Sequence, residues 1–403
     1  MKNISEGFKK IAILGLSHHP IAFDNLCYLF GNRDVKLFLW RDYVDKLKEN
    51  DVHYYENLPK IISRKKESLS VFMDRIKPDL NKYDLVIIPT LRIGFDWFAK
   101  NKFSSRTILF IHCLNFWAFP DKKISFWKTK SIKDKHAFLL NKSTRYSSIK
   151  NRLKILEKVD FLNFHDKGMK DYWFRNKKNY GKNISTMPYS LYIPENLRFK
   201  KRKSRDSIVF VVPGTIDPGR RDYCWLMRVF SKASKKTDKQ IRLILLGRLK
   251  KTEGYANKVK HLADRLSSSK NLEIIYFDTE RFIPQQTFDT EMINADVIMS
   301  SVPLSRIKIF KHYKEVYGET TACHWIDVMR FAKPGIFPVN SFEEPLLDDC
   351  VLFYKNEREL IENILKMTRK NVFEKKKTAA KRVSEDFFSR EKILERFWNQ
   401  LIE

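Results

Sequence analysis

The chain has 403 residues, which is too long for one ordinary hydrophobic core and predicts about two domains. Its formal net charge of +30 predicts contact with a polyanion or an anionic membrane surface, or simply high solubility. The longest apolar runs fall well short of the roughly 20 residues that a membrane span needs, and the short N-terminal run leads into a His-His-Pro turn rather than a cleavage site. The five cysteines are far apart and include no Cys-x-x-Cys pair, which favours a reducing cytoplasm over a zinc site or a disulfide framework.

Short apolar runs, each followed by a turn and a longer helix-like segment, recur along the chain and predict parallel strands in βαβ units. The runs of the first half lie at residues 10–17, 35–40, 84–90, 107–112, 159–165 and 184–190. Those of the second half lie at 207–214, 241–248, 272–278, 295–301 and 334–339. The two halves therefore repeat one α/β architecture, and the charged, non-periodic residues 194–206 between them indicate a linker.

Polar residues follow the predicted strands of the first half, where ligands of open α/β sheets bind. These candidate ligand contacts are His18, His19, Arg92, His112 and His165. Each histidine, taken singly, is compatible with an acid–base role and with a structural one.

Two basic stretches lie in the first half. Residues 121–158 have a net charge of +9 and residues 166–203 a net charge of +8. Aromatic and aliphatic residues are interleaved with these charges, which is typical of a segment at a lipid interface. Solvated helix faces are the alternative interpretation. The interleaved residues are Phe126, Trp127, Phe138, Leu139, Leu140, Tyr172, Trp173 and Phe174.

A glycine-containing turn after the first strand of the second half indicates a phosphate-binding site. Gly214 and Gly219 allow close backbone approach, and Arg220 or Arg221 can grip a pyrophosphate bidentately. The turn is neither a G-x-G-x-x-G fingerprint nor a Walker loop. Since the sequence has no Asp-x-Asp pair to hold a divalent metal, arginines such as Arg248 are expected to neutralise the diphosphate, and no metal is expected.

The stretch 317–334 combines two acids with a predicted helix. Glu319 and Asp327 are eight positions apart, so on one helix they lie on the same face. Thr320 and Thr321 stand at the predicted helix start, where free N–H groups and the helix dipole favour a phosphate. An amphipathic helix with two solvated acids is the alternative.

These motifs together resemble a GT-B glycosyltransferase, closest to the retaining glycosyltransferase family 4. The spacing of Gly214 and Arg221 resembles the opening of that family's donor domain, and Glu319 with Asp327 resembles its E-x7-E element. His112 stands where the family often has a histidine beside the donor sugar. The segments IRLILLGR, NADVIMSSVP, IDVMRFAKPGIFP and KNISTMPYSLYIPEN also resemble family strands and helices.

The resemblance implies an α/β fold of the GT-B type, with two Rossmann-like domains facing a central cleft. Residues 1–195 would bind the acceptor, residues 206–375 the nucleotide sugar, and the helix in 376–403 would pack back toward the N-terminal domain. Glu319 and His112 would be catalytic. The donor would contact Gly214, Thr215, Arg220, Arg221, Arg248, Asp278, Thr320, Thr321 and Asp327. The acceptor would contact His18, His19, Arg92 and His165.

The function expected from this resemblance is transfer of a sugar from a nucleotide-diphosphate sugar to a lipid-linked or polysaccharide acceptor in cell-surface glycan synthesis. Neither a cofactor nor a metal is expected, and the resemblance favours transfer with retention of the anomeric configuration. The basic stretches predict a cytoplasmic protein attached peripherally to the inner face of an anionic membrane. A sugar-nucleotide epimerase on the same scaffold is the first alternative. A nucleic-acid-binding protein is the second alternative. The sequence has no recognisable nucleic-acid-binding motif, however, and a nucleic acid is not an expected partner.

Overall fold

A computed structural model gives the structure of the protein. It describes residues 8–112, 114–117, 142–175, 182–188, 190–192, 207–217, 221–249, 254–267, 269–300, 307–309, 314–316, 324–339 and 344–402. The chain divides into two compact units. The first comprises Met1–Tyr189, Ile307–Glu315 and Ile393–Glu403, and the second comprises Ser190–Arg306 and Val316–Lys392.

The first unit is built on one sheet of parallel strands flanked by helices. Its strands are β1 (Lys10–Gly15), β2 (Asp34–Leu39), β3 (Lys60–Ile62), β4 (Leu85–Ile88), β5 (Arg106–Phe110), β6 (Phe161–Phe164) and β7 (Asn183–Thr186). Its helices are α1 (Pro20–Phe30), α2 (Arg41–Glu49), α3 (Leu69–Leu80), α4 (Phe95–Lys100), α5 (Leu114–Trp117), α6 (Lys142–Lys158) and α7 (Lys167–Arg175), with a 3₁₀ turn at Tyr54–Asn57. The strand order is β3-β2-β1-β4-β5-β6-β7, and neighbouring strands pair in parallel.

The second unit repeats this design. Its sheet is formed by β8 (Ser207–Pro213), β9 (Gln240–Leu246), β10 (Leu272–Tyr276), β11 (Val297–Met299), β14 (Gly335–Pro338) and β15 (Val351–Tyr354). The short strands β12 (Ile307–Ile309) and β13 (Lys314–Val316) pair with each other, and residues 307–315 belong to the first unit. The helices after β8 are α8 (Tyr223–Ser234), α9 (Tyr255–Ser267), α10 (Gln285–Asn294), α11 (His324–Phe331), α12 (Glu357–Thr368), α13 (Lys370–Phe388) and α14 (Arg390–Ile402), with a 3₁₀ turn at Pro345–Leu347. The order β10-β9-β8-β11-β14-β15 is parallel throughout.

Local sequence explains these elements. Residues 11–14 of β1 are apolar and fully buried, as expected for a strand covered by helices on both faces. Helix α3 begins after Ser68, whose Oγ accepts from the Val71 N–H, and α8 begins after Asp222, whose carboxylate accepts from the Trp225 N–H at 2.9 Å. Helix α1 instead has Pro20 in its first turn and no side-chain cap.

In each sheet the strand order reverses once, between β1 and β4 in the first unit and between β8 and β11 in the second. Open α/β sheets bind ligands beyond the carboxyl ends of the strands at such a switch point. The β1–α1 loop and the residues after β4 lie at the first switch point, and the turn after β8 lies at the second.

The last helix belongs in part to the first unit, which includes Ile393–Glu403. Trp398 stacks on Phe8 with ring centroids 5.5 Å apart, and Phe397 meets the edge of Phe30 at 5.7 Å. Helix α13 belongs to the second unit, so the chain passes from one unit to the other at residues 392–393.

Every apolar run that the sequence analysis selected forms a strand, and the α/β architecture is confirmed. The short strands β3, β12, β13 and β15 were not predicted. The predicted linker at 194–206 lies outside the described residues.

The interpretation of the aromatic residues in the second basic stretch is wrong for two of them. Tyr172 is 4% and Trp173 1% exposed, because α7 turns both side chains into the core of the first unit, where Trp173 packs on Phe164. Neither can reach a lipid surface, whereas Phe174 is exposed. Residues 118–141, which carry most of the first stretch, lie outside the described part of the chain. No helix in the described residues is long and apolar enough to cross a bilayer.

Candidate functional site

Two glycines, Gly214 and Gly247, lie against each other at the carboxyl edge of the second sheet. Gly214 follows β8 and has φ +103°, a conformation that L side chains rarely adopt. Its N–H donates to the Leu246 carbonyl at 2.8 Å, which brings the turn against the end of β9. A Cβ placed on Gly247 would come within 2.0 Å of the Gly214 carbonyl oxygen. The turn therefore depends on glycine at both positions.

The buried Arg221 side chain stabilises this turn through hydrogen bonds. The side chain is buried, and Nη1 donates to the carbonyl of Pro213 and to the Tyr223 hydroxyl. The Tyr223 hydroxyl in turn lies 3.2 Å from the Gly214 carbonyl oxygen. Arg221, predicted to grip a pyrophosphate, is thus packed directly beneath Gly214, where a Cβ would come within 3.0 Å of Nη2.

Asp327 lies on α11 close to two arginines. Burial raises its pKa to about 7, against the opposing effect of Arg330 and, more weakly, of Arg221. Arg330 also pairs with Asp289, since Nη2 lies 3.0 Å from both carboxylate oxygens and both side chains are largely buried. Asp327 therefore sits in a charge cluster with Arg330 and Asp289, and Arg221 connects this cluster to the Gly214 turn.

Arg248 and Asp278 occupy neighbouring strand ends with different environments. The Arg248 guanidinium lies 4.0 Å from the centroid of the exposed Phe282 ring, and its buried Nε has no hydrogen-bond partner among the described residues. Asp278 is two-thirds exposed and pairs with Lys260 Nζ at 2.5 Å. Its carboxylate is therefore already paired with a lysine at the surface.

The remaining donor-side residues, Arg220, Glu319, Thr320 and Thr321, lie outside the described residues. The described part of α11 begins at His324, so the predicted stacking of Glu319 and Asp327 on one helix remains a prediction.

The four histidines predicted in the first half come together at the carboxyl edge of the first sheet. The His19 and His112 rings are stacked at 4.2 Å with an interplanar angle of 12°, and the His112 and His165 rings are 4.3 Å apart. His18 lies beside His19, with ring centroids at 6.4 Å. Sequence reasoning thus selected residues from three strand ends that the fold brings into one row.

The hydrogen bonds of His112 limit what this ring can do. Its Nε2 lies 2.8 Å from the Pro89 carbonyl oxygen and its Nδ1 lies 2.8 Å from His165 Nε2. A carbonyl only accepts, so Nε2 carries the proton, and in the neutral pair His165 Nε2–H donates to Nδ1. Burial lowers the pKa of both rings, that of His165 to about 3. Both nitrogens of His112 are engaged, so His112 as it stands has no free nitrogen with which to take a proton from a substrate.

His19 differs from His112 in this respect. It is exposed, and among the described residues its ring makes only stacking contacts. Its pKa is lowered by desolvation and by the nearby Arg92 guanidinium, so the ring is neutral at physiological pH. His18 and His19 both have φ near +55°, a strained conformation for residues other than glycine.

Four residues that take part in these contacts, Tyr223, Asp289, Arg330 and Pro89, were not found from the sequence. Tyr223 bridges Arg221 to the glycine turn, Asp289 pairs with Arg330, and the Pro89 carbonyl fixes the His112 tautomer. Only Arg330 had a usable signal, because it lies three residues after Asp327 and hence on the same helix face. Contacts between separate loops have no local signature in one sequence.

A cavity of about 510 Å³ lies at the opposite, amino-terminal edge of the second sheet, lined by Ser207, Gln240, Asp296 and Lys333 among others. This edge is not where open α/β sheets bind their principal ligands. Among the described residues, no three His, Cys, Asp or Glu side chains converge as metal ligands.

Comparison with known proteins identifies solved structures with a similar architecture. No protein-family model and no curated protein sequence matches the chain. A glycosyltransferase structure from Rickettsia africae ESF-5 matches 98% of this chain and 100% of its own, with a TM-score of 0.60 and 12% identity. Anabaena Alr3699/HepE in complex with UDP and glucose matches 98% and 100%, with a TM-score of 0.56 and 10% identity. The pneumococcal O-GlcNAc transferase GtfA in complex with UDP and GlcNAc matches 98% and 99%, with a TM-score of 0.56 and 8% identity.

The chain has the GT-B fold. The matches run end to end and include both units, so the fold predicted from the motifs is confirmed. In this fold, the glycine turn with Asp327 belongs to the second Rossmann-like unit, and the histidine row belongs to the first.

Proposed function

We propose that this protein is a glycosyltransferase that moves a sugar from a nucleotide-diphosphate sugar to an acceptor. The observation that carries the proposal is the end-to-end match to glycosyltransferase structures, one of which, the O-GlcNAc transferase GtfA, was solved with UDP and GlcNAc. The match leaves room for other chemistry on the same scaffold, so the polar residues at the switch points must supply the rest of the support.

The second unit is the proposed donor site. The Gly214 turn leaves no side chain between ligand and backbone, which suits the close approach of a diphosphate. Asp327 is proposed to accept from the ribose hydroxyls, and Glu319 to face the hexose as the catalytic acid residue. Arg248, whose guanidinium is stacked on the exposed Phe282 ring, is proposed to donate to a phosphate.

A thermal-shift screen with UDP, GDP, ADP and CDP tests the donor site, because a ligand that binds only the folded state raises its stability. We expect one nucleotide to raise the melting temperature of the wild type and not that of Asp327→Asn. Asp238→Asn is the matched control, since Asp238 is exposed and precedes β9 at the opposite edge of the sheet. If no nucleotide shifts the wild type, the donor assignment fails.

We propose that transfer retains the anomeric configuration without a metal ion, as the resemblance to family 4 favours. Glu319→Gln should then nearly abolish transfer without unfolding the protein, and EDTA should leave the rate unchanged. NMR of the product sets the stereochemistry. An inverted product would overturn retention and require a protein base, for which the exposed His19 ring is better placed than His112, whose nitrogens are both engaged.

We further propose a lipid-linked or polysaccharide acceptor and peripheral attachment to the cytoplasmic face of an anionic membrane. The net charge of +30 and the exposed Phe174 within a basic stretch support this part. Binding to anionic vesicles should fall between low and high salt, whereas neutral vesicles should not bind. Salt-insensitive or absent binding would contradict membrane attachment.

Product analysis with labelled sugar nucleotides separates transfer from epimerisation. Transfer yields a new glycoside and free nucleoside diphosphate. Epimerisation changes the sugar without an acceptor. Steep, salt-dependent binding of DNA or RNA without turnover of any sugar nucleotide would instead favour the nucleic-acid alternative.

A further inference from the structure

The cavity of about 510 Å³ in the second unit lies at the edge of the sheet opposite the Gly214 turn. Its walls are formed by the first residues of β8 and β9, the last turns of α10 and α12, and the first turns of α13. All of its lining residues belong to the second unit. Pockets that bind small molecules commonly have volumes of roughly 300–1,000 Å³, so this cavity has the size of a ligand site.

The floor of the cavity is apolar. Ile208 and Met367 line it and belong to the hydrophobic core of the second unit, and Phe373 packs against that core while remaining partly accessible. Ile293 and Ala295 extend the same surface on the α10 side. Apolar surface in contact with water is unfavourable, so covering this floor with the apolar part of a ligand lowers the free energy.

Two of the acidic side chains that line the cavity pair with basic side chains of the same lining. Glu273 accepts from Arg242 Nε at 2.5 Å and from Nη2 at 3.2 Å. Glu374 lies 3.3 Å from Lys377 Nζ. These carboxylates therefore have cationic partners within the protein.

The third acid of the lining, Asp296, is also engaged. Its carboxylate accepts from the Val209 N–H at 2.9 Å, at the start of β8. Burial raises its pKa, and the positive charges of Lys333 and Lys377 oppose that rise. Asp296 is thus hydrogen-bonded to the sheet and lies near two lysines, so it does not require a cation from solution.

Two lysines of the lining remain without a partner. Lys239 precedes β9 and Lys370 begins α13, and both are exposed. Neither side chain forms an ion pair or a hydrogen bond among the described residues. The lining has five basic and three acidic side chains, so these two lysines are its excess of positive charge. The first turn of α13 has no acidic residue and no side-chain cap, so the helix dipole adds to this positive field.

We propose that the cavity is a second ligand-binding site, which takes a small soluble amphipathic anion whose carboxylate or phosphate contacts Lys239 and Lys370. The apolar part of the ligand packs on the floor formed by Ile208, Met367 and Phe373. The inference does not rest on the proposed transferase function, because the site lies at the edge of the sheet opposite the proposed donor site.

The probe is octanoate, titrated calorimetrically into the full-length protein at concentrations where octanoate is monomeric. Octanamide has the same chain without the charge, and acetate has the charge without the chain. We expect one octanoate per protein, bound at least about tenfold more tightly than either octanamide or acetate, because only octanoate uses both the floor and the lysines.

Substitution of the two lysines tests the position of the acidic group. Lys239→Gln and Lys370→Gln should each weaken octanoate binding about two- to fivefold, the effect of one exposed charge contact, and should leave octanamide binding unchanged. Lys366→Gln is the matched control, because Lys366 is also an exposed lysine, in the last turn of α12, and does not line the cavity. This variant should bind octanoate as the wild type does.

Hydrogen exchange with and without octanoate locates the ligand. Amides at the start of β9 and in the first turns of α13 should exchange more slowly in its presence, and amides of α1 in the first unit should exchange at an unchanged rate. Protection of α1 with no change in β9 or α13 would overturn the assignment to this cavity.

The other outcomes are equally decisive. Octanoate that does not bind, or that binds no better than octanamide and acetate, would overturn the proposal, as would equal binding to the wild type and to both lysine variants. Displacement of octanoate by UDP would place it in the donor site instead. Capture of the protein by neutral vesicles containing oleate, without binding of monomeric octanoate, would point to a membrane surface and overturn a soluble ligand. Nucleotide binding without octanoate binding would overturn only this inference, and the reverse result would overturn only the proposed function.

Discussion

The Gly214 carbonyl oxygen lies where the Cβ of any other residue at position 247 would have to be, only 2.0 Å away. The Gly214 carbonyl and the Cα of residue 247 that carries this Cβ are both backbone, so neither can move without disturbing the bridge between Ile216 and Leu249 that follows. We expect Gly247→Ala to cost roughly 3 kcal/mol of folding free energy, because the overlap displaces main chain instead of a side-chain end. Urea unfolding of purified protein measures this change.

The matched control for Gly247 is Gly254, which has φ +71° and no atom within 4 Å of an added Cβ. Gly254→Ala should cost only about 1 kcal/mol, the usual penalty of a left-handed backbone. Equal losses in the two variants would contradict the steric explanation.

A second prediction concerns the acid stability contributed by His165. The pKa of this buried histidine falls to about 3 in the folded protein, so between pH 6.5 and pH 3 the unfolded chain binds a proton that the folded chain does not. Stability is therefore fully present above pH 6.5 and falls as the pH decreases through that window, by up to ~1.4 kcal/mol per pH unit for one such group.

His165→Gln should flatten the fall in stability below pH 6.5, even though the variant is less stable at neutral pH after losing its bond to His112. The control variant is His53→Gln, which replaces an exposed histidine instead of a buried one. Unfolding free energies at several pH values between 4.5 and 7.5 give both slopes, and a parallel pair of wild-type and His165→Gln curves would refute the prediction.

Particular residues show which parts of the fold and of the site could be predicted from the sequence. Apolar runs such as residues 11–14 predicted buried parallel strands because a strand covered on both faces must be apolar throughout. Strands β3 and β15 were not predicted, because three or four residues at a sheet edge do not form a distinctive apolar run. The rule for strand ends selected His19, His112 and His165 together, since the parallel order places those ends side by side.

The sequence did not predict which residues form hydrogen bonds with the candidate site residues. It assigned His112 a catalytic role, yet the Pro89 carbonyl and His165 occupy both ring nitrogens. It assigned Arg221 to a phosphate, yet the guanidinium is buried in bonds to Pro213 and Tyr223. The partners of His112 are 23 and 53 residues away in the sequence, so no local pattern encodes them. Those of Arg221 are only eight and two residues away, but their spacing does not reveal that the guanidinium turns inward.

Asp327 gives a third prediction, of the opposite sign to that of His165. Burial raises its pKa from 3.8 to about 7, so between these values the folded protein holds a proton that the unfolded chain releases. Stability contributed by this group is present below pH 4 and is lost as the pH rises toward 7. Asp327→Asn removes the loss, so its unfolding free energy relative to wild type should increase with pH across that window. A difference that is constant with pH would show that Asp327 ionises normally.

A fourth prediction concerns the buried pair of Arg330 and Asp289. Both carboxylate oxygens of Asp289 lie 3.0 Å from Arg330 Nη2. Removal of one member leaves a buried charge without its partner, so Arg330→Met should cost about 3–5 kcal/mol. The double variant Arg330→Met with Asp289→Leu should recover much of that loss, because it removes both charges. Denaturant unfolding of the four proteins of this cycle measures the coupling, and additive losses would contradict it.

The last helix provides the fifth prediction through two phenylalanines. Phe397 is 1% exposed and meets Phe30 and Trp398 in the first unit, whereas Phe387 on α13 is 37% exposed. Phe397→Ala leaves a cavity beneath α14 and should cost about 3–5 kcal/mol, while Phe387→Ala should cost well under 1 kcal/mol.

Hydrogen exchange of the Phe397 and Phe387 variants locates the effect. Amides of α1, which carries Phe30, should exchange faster in Phe397→Ala, because that helix loses its aromatic contact. Amides of β8 and β9 in the second unit should exchange at the wild-type rate. Faster exchange in β8 and β9 with α1 unchanged would mean that the C-terminal helix stabilises the second unit, contrary to the packing of Phe397 on Phe30.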